Sequence, residues 1–262
     1  MGKEIRPVFY PNLDNSFGSV IRMFVGEPVG TLDEFEPYLK KYFYPPLVKY
    51  SSFLSKEDVY TSASHYKKNA KFISNDEVEK FEESISKPFD MNKIKDIDSV
   101  FEEANERFAY CGNKHLGKSD FIANSDTIFD SNFVFNSTEV VSCEYVAHCH
   151  SVREGKYLFG ATWTAKSEFL MKSMGVYESS RIFEGHFVFN SSDILFSFQL
   201  RGCSECMFTF NKKNMKYAIG NTQLTKEKYY SIKKKLLSEI AEELRRKKTF
   251  PGLFELVGVA ND

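Results

Sequence analysis

Small residues occupy every sixth position through the middle of this chain. The run begins at Ser119 and ends at Thr209 without a change of phase, and each member is Ser, Cys, Gly, Ala or Thr. From Ser119 to Cys203, an aliphatic residue follows each small residue by three positions, except at Thr164 and Cys206. Neither helical periodicity nor simple strand alternation produces a strict six. The pattern therefore predicts a solenoid of short strands, with aliphatic side chains inside and small residues at tight corners.

A longer repeat indicates how many of these six-residue units, or hexads, close one coil. The sequence of Phe133–Ser137 recurs nine hexads later as Phe187–Ser191, and nine is a multiple of three. Three hexads per coil predict a triangular parallel β-helix of about five to six coils. Aliphatic residues of successive coils would then stack into three inner ladders, with neighbours about 4.8 Å apart.

Residues 113–221 resemble the hexad-repeat triangular parallel β-helices. The left-handed hexapeptide acyltransferases share the six-residue period, but their small residue follows the aliphatic one by four positions, and here the gap is three. Bactofilin-like and other right-handed triangular helices are similar in coil length. The chain looks most similar to uncharacterised prokaryotic Asn/Ser-rich solenoids that end in a helix. The resemblance implies architecture, with a right-handed path preferred, and it carries no functional residue across.

The flanking segments predict caps on this solenoid. Ser19–Val25 has the composition of a strand bounded by glycines, whereas residues 32–43 and 98–110 have helical spacing of apolar side chains. Another helix opens at Asn75. These observations predict an α/β cap before the repeat.

A long amphipathic helix is predicted after the repeat, from Thr225 to about Lys247. The predicted fold class is mainly β with α caps. Its three parts are an N-terminal α/β cap (1–112), the β-helix (113–221), and a C-terminal helix and tail that pack on the solenoid (222–262).

Composition excludes some classes of function. The 262-residue chain has a net charge of −1, so nucleic acid is not an expected partner, and the basic run from Arg245 to Lys248 fits a solvated helix end. The sequence has no apolar stretch long enough to span a membrane and no secretory leader, so we expect a cytoplasmic protein with no membrane span. Four of the five cysteines, Cys111 being the exception, fall on inward repeat positions. Core packing is expected for them, with no metal and no cofactor.

Large apolar side chains flank the inward aliphatic positions and should point outward. Soluble proteins rarely leave such a patch in water, so we expect the C-terminal helix, the N-terminal segment or a second subunit to cover it. This predicted apolar docking face consists of Phe133, Phe135, Phe169, Phe187 and Phe189.

A step of three hexads also aligns polar side chains. His150, Glu168 and His186 would share one column, and such residues can bind a metal or transfer protons, although a surface polar ladder remains the alternative. A second predicted column is a ladder of exposed ion pairs, made of Asp130, His148, Lys166 and Glu184.

A third column combines aromatic, basic and amide side chains. Its members are Tyr145, Trp163, Arg181 and Gln199. Aromatic residues beside an arginine can bind a sugar, a base or a peptide, and the same surface can equally be the docking site of the N-terminal region.

Two functions remain open at the level of sequence. The chain has no phosphate loop, zinc-protease motif or nucleophile elbow. We therefore expect a non-enzymatic structural or protein-interaction module within an oligomer or larger complex, with a protein partner or self-association. The alternative is a hexapeptide-type acyltransferase with His150 or His186 as general base. The unbroken repeat phase leaves no room for an extruded active-site loop, which favours the first interpretation.

Overall fold

The structure is a computed structural model in which one parallel β-solenoid carries helices at both ends of the chain. It describes residues 6–42, 47–62, 65–67, 69–164, 168, 171–176, 180–186 and 189–256. The helices are α1 (Tyr10–Val25), α2 (Leu32–Leu39), α3 (Val78–Ser84), α4 (Ile97–Glu106), α5 (Lys226–Lys247) and α6 (Leu253–Leu256). Two small sheets precede the solenoid, β1 (Val48–Ser51) with β2 (Asp58–Thr61), and β3 (Phe72–Ser74) with β4 (Tyr110–Gly112).

The solenoid strands follow one another along the chain at short intervals. They are β5 (His115–Leu116), β6 (Asp120–Ala123), β7 (Asp126–Phe129), β8 (Asn132–Phe135), β9 (Thr138–Val141), β10 (Glu144–Ala147), β11 (His150–Arg153), β12 (Lys156–Phe159), β13 (Thr162–Thr164), β14 (Met171–Val176), β15 (Phe183–His186), β16 (Ser192–Phe198), β17 (Ser204–Met207), β18 (Lys216–Ile219) and β19 (Thr222–Gln223). All pair in parallel except β19, which is antiparallel to β18.

Each coil contains two hexads. Val134 pairs with Val146, and Val146 pairs with Leu158, so the register advances by two hexads per coil. The parallel β-helix predicted from the repeat is confirmed, but the coil has two hexads instead of three, and there are about eight coils. Two inner aliphatic ladders replace the three that were predicted.

The backbone conformation explains the shorter coil. Each hexad has two positions with positive φ, as at Phe133 (φ 55°) and Asn136 (φ 47°). The next hexad repeats this at Glu139 and Ser142. Phe133 lies within β8, whereas Asn136 lies at the corner between β8 and β9, where its left-handed backbone helps to turn the chain; each hexad thus covers half a coil, and two corners complete the circuit. The hexad period alone does not reveal this, because it fits two or three units per coil equally well.

Small polar side chains inside the corners bond one coil to the next. The Ser131 hydroxyl donates to the carbonyl of Phe129 (2.7 Å) and accepts from the N–H of Cys143 (3.0 Å). The Ser137 hydroxyl accepts in the same way from the N–H of Cys149 (3.1 Å). A larger side chain would not fit at these inward positions. Cys143, Cys149, Cys203 and Cys206 are buried, as expected for core residues.

Helices from both ends of the chain cover one side of the solenoid, which we call the covered face (β6, β8, β10, β12, β17 and β18). Its outward apolar column is buried and consists of Phe135, Ala147, Phe159, Met171, Phe183, Leu195 and Met207. Phe17 of α1 meets Phe159 edge-on, with ring centroids 5.4 Å apart. Of the three covers expected for the predicted docking face, the chain's own terminal segments pack over Phe135, and Phe133 is half-buried beside it.

The helix α1 replaces a predicted strand. Ser19–Val25 lies in its last two turns, and its buried side chains include Leu13, Phe17, Val20 and Phe24. Val20, Ile21 and Val25 favour a strand by propensity, but apolar side chains three and four positions apart fit a helix lying on a flat apolar sheet. The predicted C-terminal helix is confirmed as α5, capped by Thr225. Within the described residues, no helix combines the length and the apolar character needed to cross a membrane.

A glycine at the corner beneath α2 allows the helix to approach closely. A Cβ at Gly160 (φ +70°) would lie 2.6 Å from the carbonyl oxygen of Leu39. Gly220 (φ +58°) lies five coils further along the same corner column and has nothing within 4 Å of such a Cβ.

Alanine substitutions at these two glycines distinguish the cost of backbone strain from the cost of steric crowding. Both alanine variants acquire the left-handed penalty, about 1–2 kcal/mol, whereas Gly160→Ala also overpacks the α2 contact, adding about 1–3 kcal/mol. We expect denaturant unfolding to show the larger loss of stability for Gly160→Ala. Equal losses in the two variants would contradict the close approach of α2.

Candidate functional site

The side of the solenoid opposite the covered face carries a second outward surface, which we call the open face. It consists of β7, β9, β11 and β13, followed by the bridged residues Phe189, Arg201 and Lys213. One outward column takes a single residue from each coil, and its described members are Phe129, Val141, Arg153, Phe189, Arg201 and Lys213. All of these are exposed except Val141, which is half-buried. Phe129 and Phe189 are 44% and 39% exposed.

The charges of the open face are sorted along the solenoid axis. Its first coils carry the exposed acids Asp130, Glu139 and Glu154. Its last coils carry Arg201, Lys212 and Lys213. None of the ion pairs found between described residues involves these three basic side chains. The last two coils therefore carry three cations and, among the described residues, no acid, whereas the first three coils carry three acids and one exposed cation, Arg153.

The basic end forms a shallow recess. Its volume is about 410 Å³, and it is lined by Phe189, Gln199, Arg201, Asn211, Lys212 and Lys213. The guanidinium of Arg201 lies 5.4 Å from the centre of the Phe189 ring, within cation–π distance. The recess thus combines an accessible aromatic ring, positive charge and two side-chain amides. Arginine and lysine side chains form strong charge-assisted hydrogen bonds with carboxylates and phosphates.

The predicted His-Glu-His column does not form. His150 and His186 are six hexads apart, which is three coils, so they share a column that continues through Thr162 and Met174. Glu168 bridges to Lys156 and Ser180 in a different column, because its three-hexad distance from each histidine amounts to one and a half coils. His150 is 7% exposed, and burial lowers its pKa. The side chain of His186 lies outside the described residues.

The predicted aromatic and basic column is divided between the two faces. Tyr145 belongs to the covered face, where its ring stacks on Phe133 (4.8 Å between centroids) and on Tyr157 (5.1 Å). Arg181 follows in the same column three coils later, and its side chain is exposed. Trp163 and Gln199 lie instead on the open face, at positions three coils apart. The side chain of Trp163 lies outside the described residues.

The predicted docking face is also divided. Phe135 and Phe133 belong to the covered face, whereas Phe189 is exposed on the open face. Phe169 and Phe187 lie outside the described residues. The cause is again the coil length, because the nine-hexad offset that relates Phe135 to Phe189 is four and a half coils.

A buried polar cluster occupies the corner that leads from the covered face to the open face. His148, Lys172 and Glu184 stand in one corner column, and all three are fully buried, contrary to the exposed ion-pair ladder predicted for His148 and Glu184. The ammonium of Lys172 lies 3.3 Å from a carboxylate oxygen of Glu184. It also lies 3.9 Å above the ring centre of Tyr38 in α2. Lys172 and Glu184 are two hexads apart, so they are neighbours in a two-hexad coil. A three-hexad coil would place them in different columns, which is why the sequence pattern did not predict their contact.

Glu184 connects this corner to two helices. Its carboxylate accepts from the hydroxyl of Tyr38 (3.1 Å) and from the backbone N–H of Leu253 at the start of α6 (2.9 Å). Burial lowers the pKa of Lys172 to about 8, and Glu184 opposes that shift. These contacts use the buried charges to hold α2 and α6 on the solenoid.

His148 is the second unusual group in this corner. Burial lowers its pKa to about 3, with Lys40 and Arg6 adding to the shift and Glu36 opposing it. The ring packs edge-on against Phe135, with centroids 5.9 Å apart. His148 is therefore neutral in the folded protein at physiological pH.

With the fold and these surfaces defined, the chain can be compared with known proteins. No protein-family model, curated protein or solved structure matches it. The class of protein is thus given by the fold alone: a parallel β-solenoid with two hexads per coil, covered on one face by its own helices.

The buried pair provides a stability prediction. Lys172→Met leaves the Glu184 carboxylate without its cation in a buried site, which costs about 3–5 kcal/mol. Lys172→Met/Glu184→Gln removes both charges, and its loss should fall short of the sum of the single losses by about 0.5–3 kcal/mol. Urea unfolding of the four proteins in this cycle measures the coupling.

A matched control exists on the surface, where two charged residues also stand one coil apart. Lys156 and Glu144 lie 2.8 Å apart, with side chains 55% and 42% exposed. Lys156→Met should cost less than about 1 kcal/mol. Similar losses for Lys156→Met and Lys172→Met would contradict the buried ion pair.

His148 provides a pH prediction. His148 has a pKa near 6.5 in the unfolded chain and a pKa of about 3 in the folded protein. Because the unfolded chain binds the proton more readily, the free energy of unfolding should fall by about 1.4 kcal/mol for each pH unit below 6.5 and should not change through His148 above it. His148→Asn is suited to this position, because Asn136 adopts the same left-handed conformation one coil earlier. Between pH 7 and pH 5 the native chain should lose about 2 kcal/mol more than His148→Asn. The exposed His65→Asn is the control, and parallel pH profiles for the native chain and His148→Asn would contradict the prediction.

Proposed function

We propose that this protein is a non-enzymatic interaction module whose open face binds a protein partner through that partner's acidic side chains. The observation that carries the proposal is the asymmetry between the faces. The chain's own helices bury the apolar column of one face, while the other exposes Phe129, Phe189 and Arg201. Exposed aromatic and arginine side chains are the residues most enriched at the centres of protein interfaces.

The scaffold suits such a role. Hydrogen bonds join each coil to the next, both through strand pairing and through the corner hydroxyls, so the open face is held rigidly. A rigid surface loses little conformational entropy on binding. Solenoids provide extended surfaces of this kind.

Charge favours a protein partner over a nucleic acid. The basic side chains Arg201, Lys212 and Lys213 occupy only the last two coils, about 5 Å apart. Glu139 and Asp130 at the other end of the same face would repel a phosphate backbone that continued along it. A short acidic protein segment meets the basic recess without that repulsion.

The alternative of a hexapeptide-type acyltransferase receives less support. A general base must reach the reacting proton from a cleft open to substrate. His150 is buried in the solenoid wall, and His148 is sealed beneath α2. The buried Lys172 and Glu184 bind α2 and α6, which is a structural use of ionisable groups.

A fluorescent acidic peptide with the repeated sequence Glu-Asp-Tyr tests the proposal by fluorescence anisotropy. We expect it to bind the native chain and to bind Arg201→Glu/Lys213→Glu at least about ten-fold more weakly, because like charges then face each other. Lys228→Glu/Lys234→Glu makes the same charge change at exposed positions of α5 and should leave binding unchanged.

Three outcomes would overturn the proposal. They are the absence of peptide binding, equal binding of a Gln-Asn-Tyr peptide that lacks the carboxylates, and tighter Arg201-dependent binding of a single-stranded oligonucleotide. The last outcome would identify the open face as a nucleic-acid site.

A further inference from the structure

We infer that the acidic partner is a second copy of this chain, docked open face to open face with the two solenoid axes antiparallel. This inference rests on the proposed function, since it names the partner of the same face. The contacts between the two copies involve the coils at both ends of the open face, whose residues the structure describes.

The charges at the two ends of the face cannot neutralise each other within one chain. Glu139 and Arg201 stand five coils apart, which is about 24 Å at the spacing of parallel strands. The Debye length at physiological ionic strength is about 8 Å, so attraction over that distance is screened. A second molecule turned end to end brings the opposite charges together.

The geometry of the repeat makes this pairing self-complementary. A two-fold axis along the strand direction reverses the order of coils while it keeps each column opposite itself. With full overlap, the coil of Asp130 meets the coil of Lys213, and the coil of Glu139 meets the coil of Arg201. The columns of Glu139 and Arg201 lie two positions apart along the strand, about 6.6 Å, which two long side chains span.

The same overlap places aromatic rings against cations. The coil of Phe129 meets that of Lys213, and the coil of Phe189 meets that of Arg153. A parallel arrangement would instead put each coil against its own copy, with like charges opposed at both ends. The antiparallel two-fold also closes the assembly as a dimer, because both copies use the same surface.

The size of the face indicates the strength of the dimer. About eight coils extend over about 38 Å, and a four-residue strand is about 13 Å long. The flat area is about 500 Å² per copy, or about 1,000 Å² in total, at the lower limit for a specific interface. We therefore expect a reversible dimer that is sensitive to salt.

Sedimentation equilibrium on single charge reversals tests the contact. We expect the native chain to dimerise at low salt, and Arg201→Glu and Glu139→Lys each to weaken the dimer at least about ten-fold, because each creates two like-charge contacts. An equimolar mixture of these two variants should form a heterodimer, and Arg201→Glu/Glu139→Lys in one chain should restore the homodimer. Lys228→Glu on α5 is the matched control and should leave dimerisation unchanged.

Spin labels distinguish the orientation. In the antiparallel dimer, a label at Ser151→Cys lies three coils along the axis from its copy, about 14 Å, and a label at Asn211→Cys lies seven coils away, about 34 Å. A parallel dimer would give short distances at both positions, which would overturn the inference.

The outcomes separate this inference from the proposed function. If the chain is monomeric at all concentrations but still binds the acidic peptide through Arg201, the dimer inference is wrong and the proposed interaction function is retained. A dimer that persists in both single variants uses another surface and also overturns the inference. A monomer that binds no acidic peptide overturns both.

Discussion

The hydrogen bonds that inward corner side chains make between coils are the interaction on which this structure depends. At a corner the backbone leaves the strand ladder, and its polar groups need partners inside a core that excludes water. The hydroxyl of Ser137 supplies them by donating to Phe135 within its own coil and accepting from Cys149 of the next. Cys149 repeats the pattern through its thiol, accepting from the N–H of Ala161. This bonding requires a small residue at every sixth position. Ser, Thr and Cys supply the polar atom, and Gly and Ala fit the same space without one. This is the pattern that dominates the sequence.

The two-hexad register set by these bonds gives the molecule two chemically distinct faces. Residues separated by an even number of hexads share a face, so the column from Phe135 to Met207 collects apolar residues on one side, while the column from Phe129 to Lys213 collects aromatic and basic residues on the other. The apolar column from Phe135 to Met207 requires a cover, which α1, α2, α5 and α6 provide. The corner beside it buries Lys172 and Glu184, whose ion pair, with Tyr38 and the N–H of Leu253, fixes where α2 and α6 lie. Burial of an ion pair adds little net stability, whereas loss of one partner alone is costly.

The open face differs in kind, because no helix of the described chain buries its outward column and its aromatic and basic side chains are exposed. Its acids lie in the first three coils, together with Arg153, and its other described cations lie in the last two, and the scaffold keeps Glu139 too far from Arg201 to bond with it within the chain. In the proposed dimer, the same rigidity holds these charges opposite those of a reversed copy. The proposed binding mode therefore follows from the order of charges along the repeat.

The sequence by itself determined the parallel solenoid, its hexad phase, the inward placement of Ser131, Cys143 and their equivalents, and the amphipathic helix α5. These features depend on local rules, namely which side chains fit inside a strand, at a corner or on a helix stripe. It did not determine the coil length, since the recurrence of Phe133–Ser137 after nine hexads fits three hexads per coil as well as a half-integral number of two-hexad coils. That choice was decided by the left-handed residue at each corner, such as Asn136 between β8 and β9, and by the pairing of Val134 with Val146. Which residues meet across coils is a property of closure in three dimensions. For that reason only the tertiary structure could separate His150 from Glu168, bring Lys172 to Glu184, and assign Phe135 and Phe189 to opposite faces.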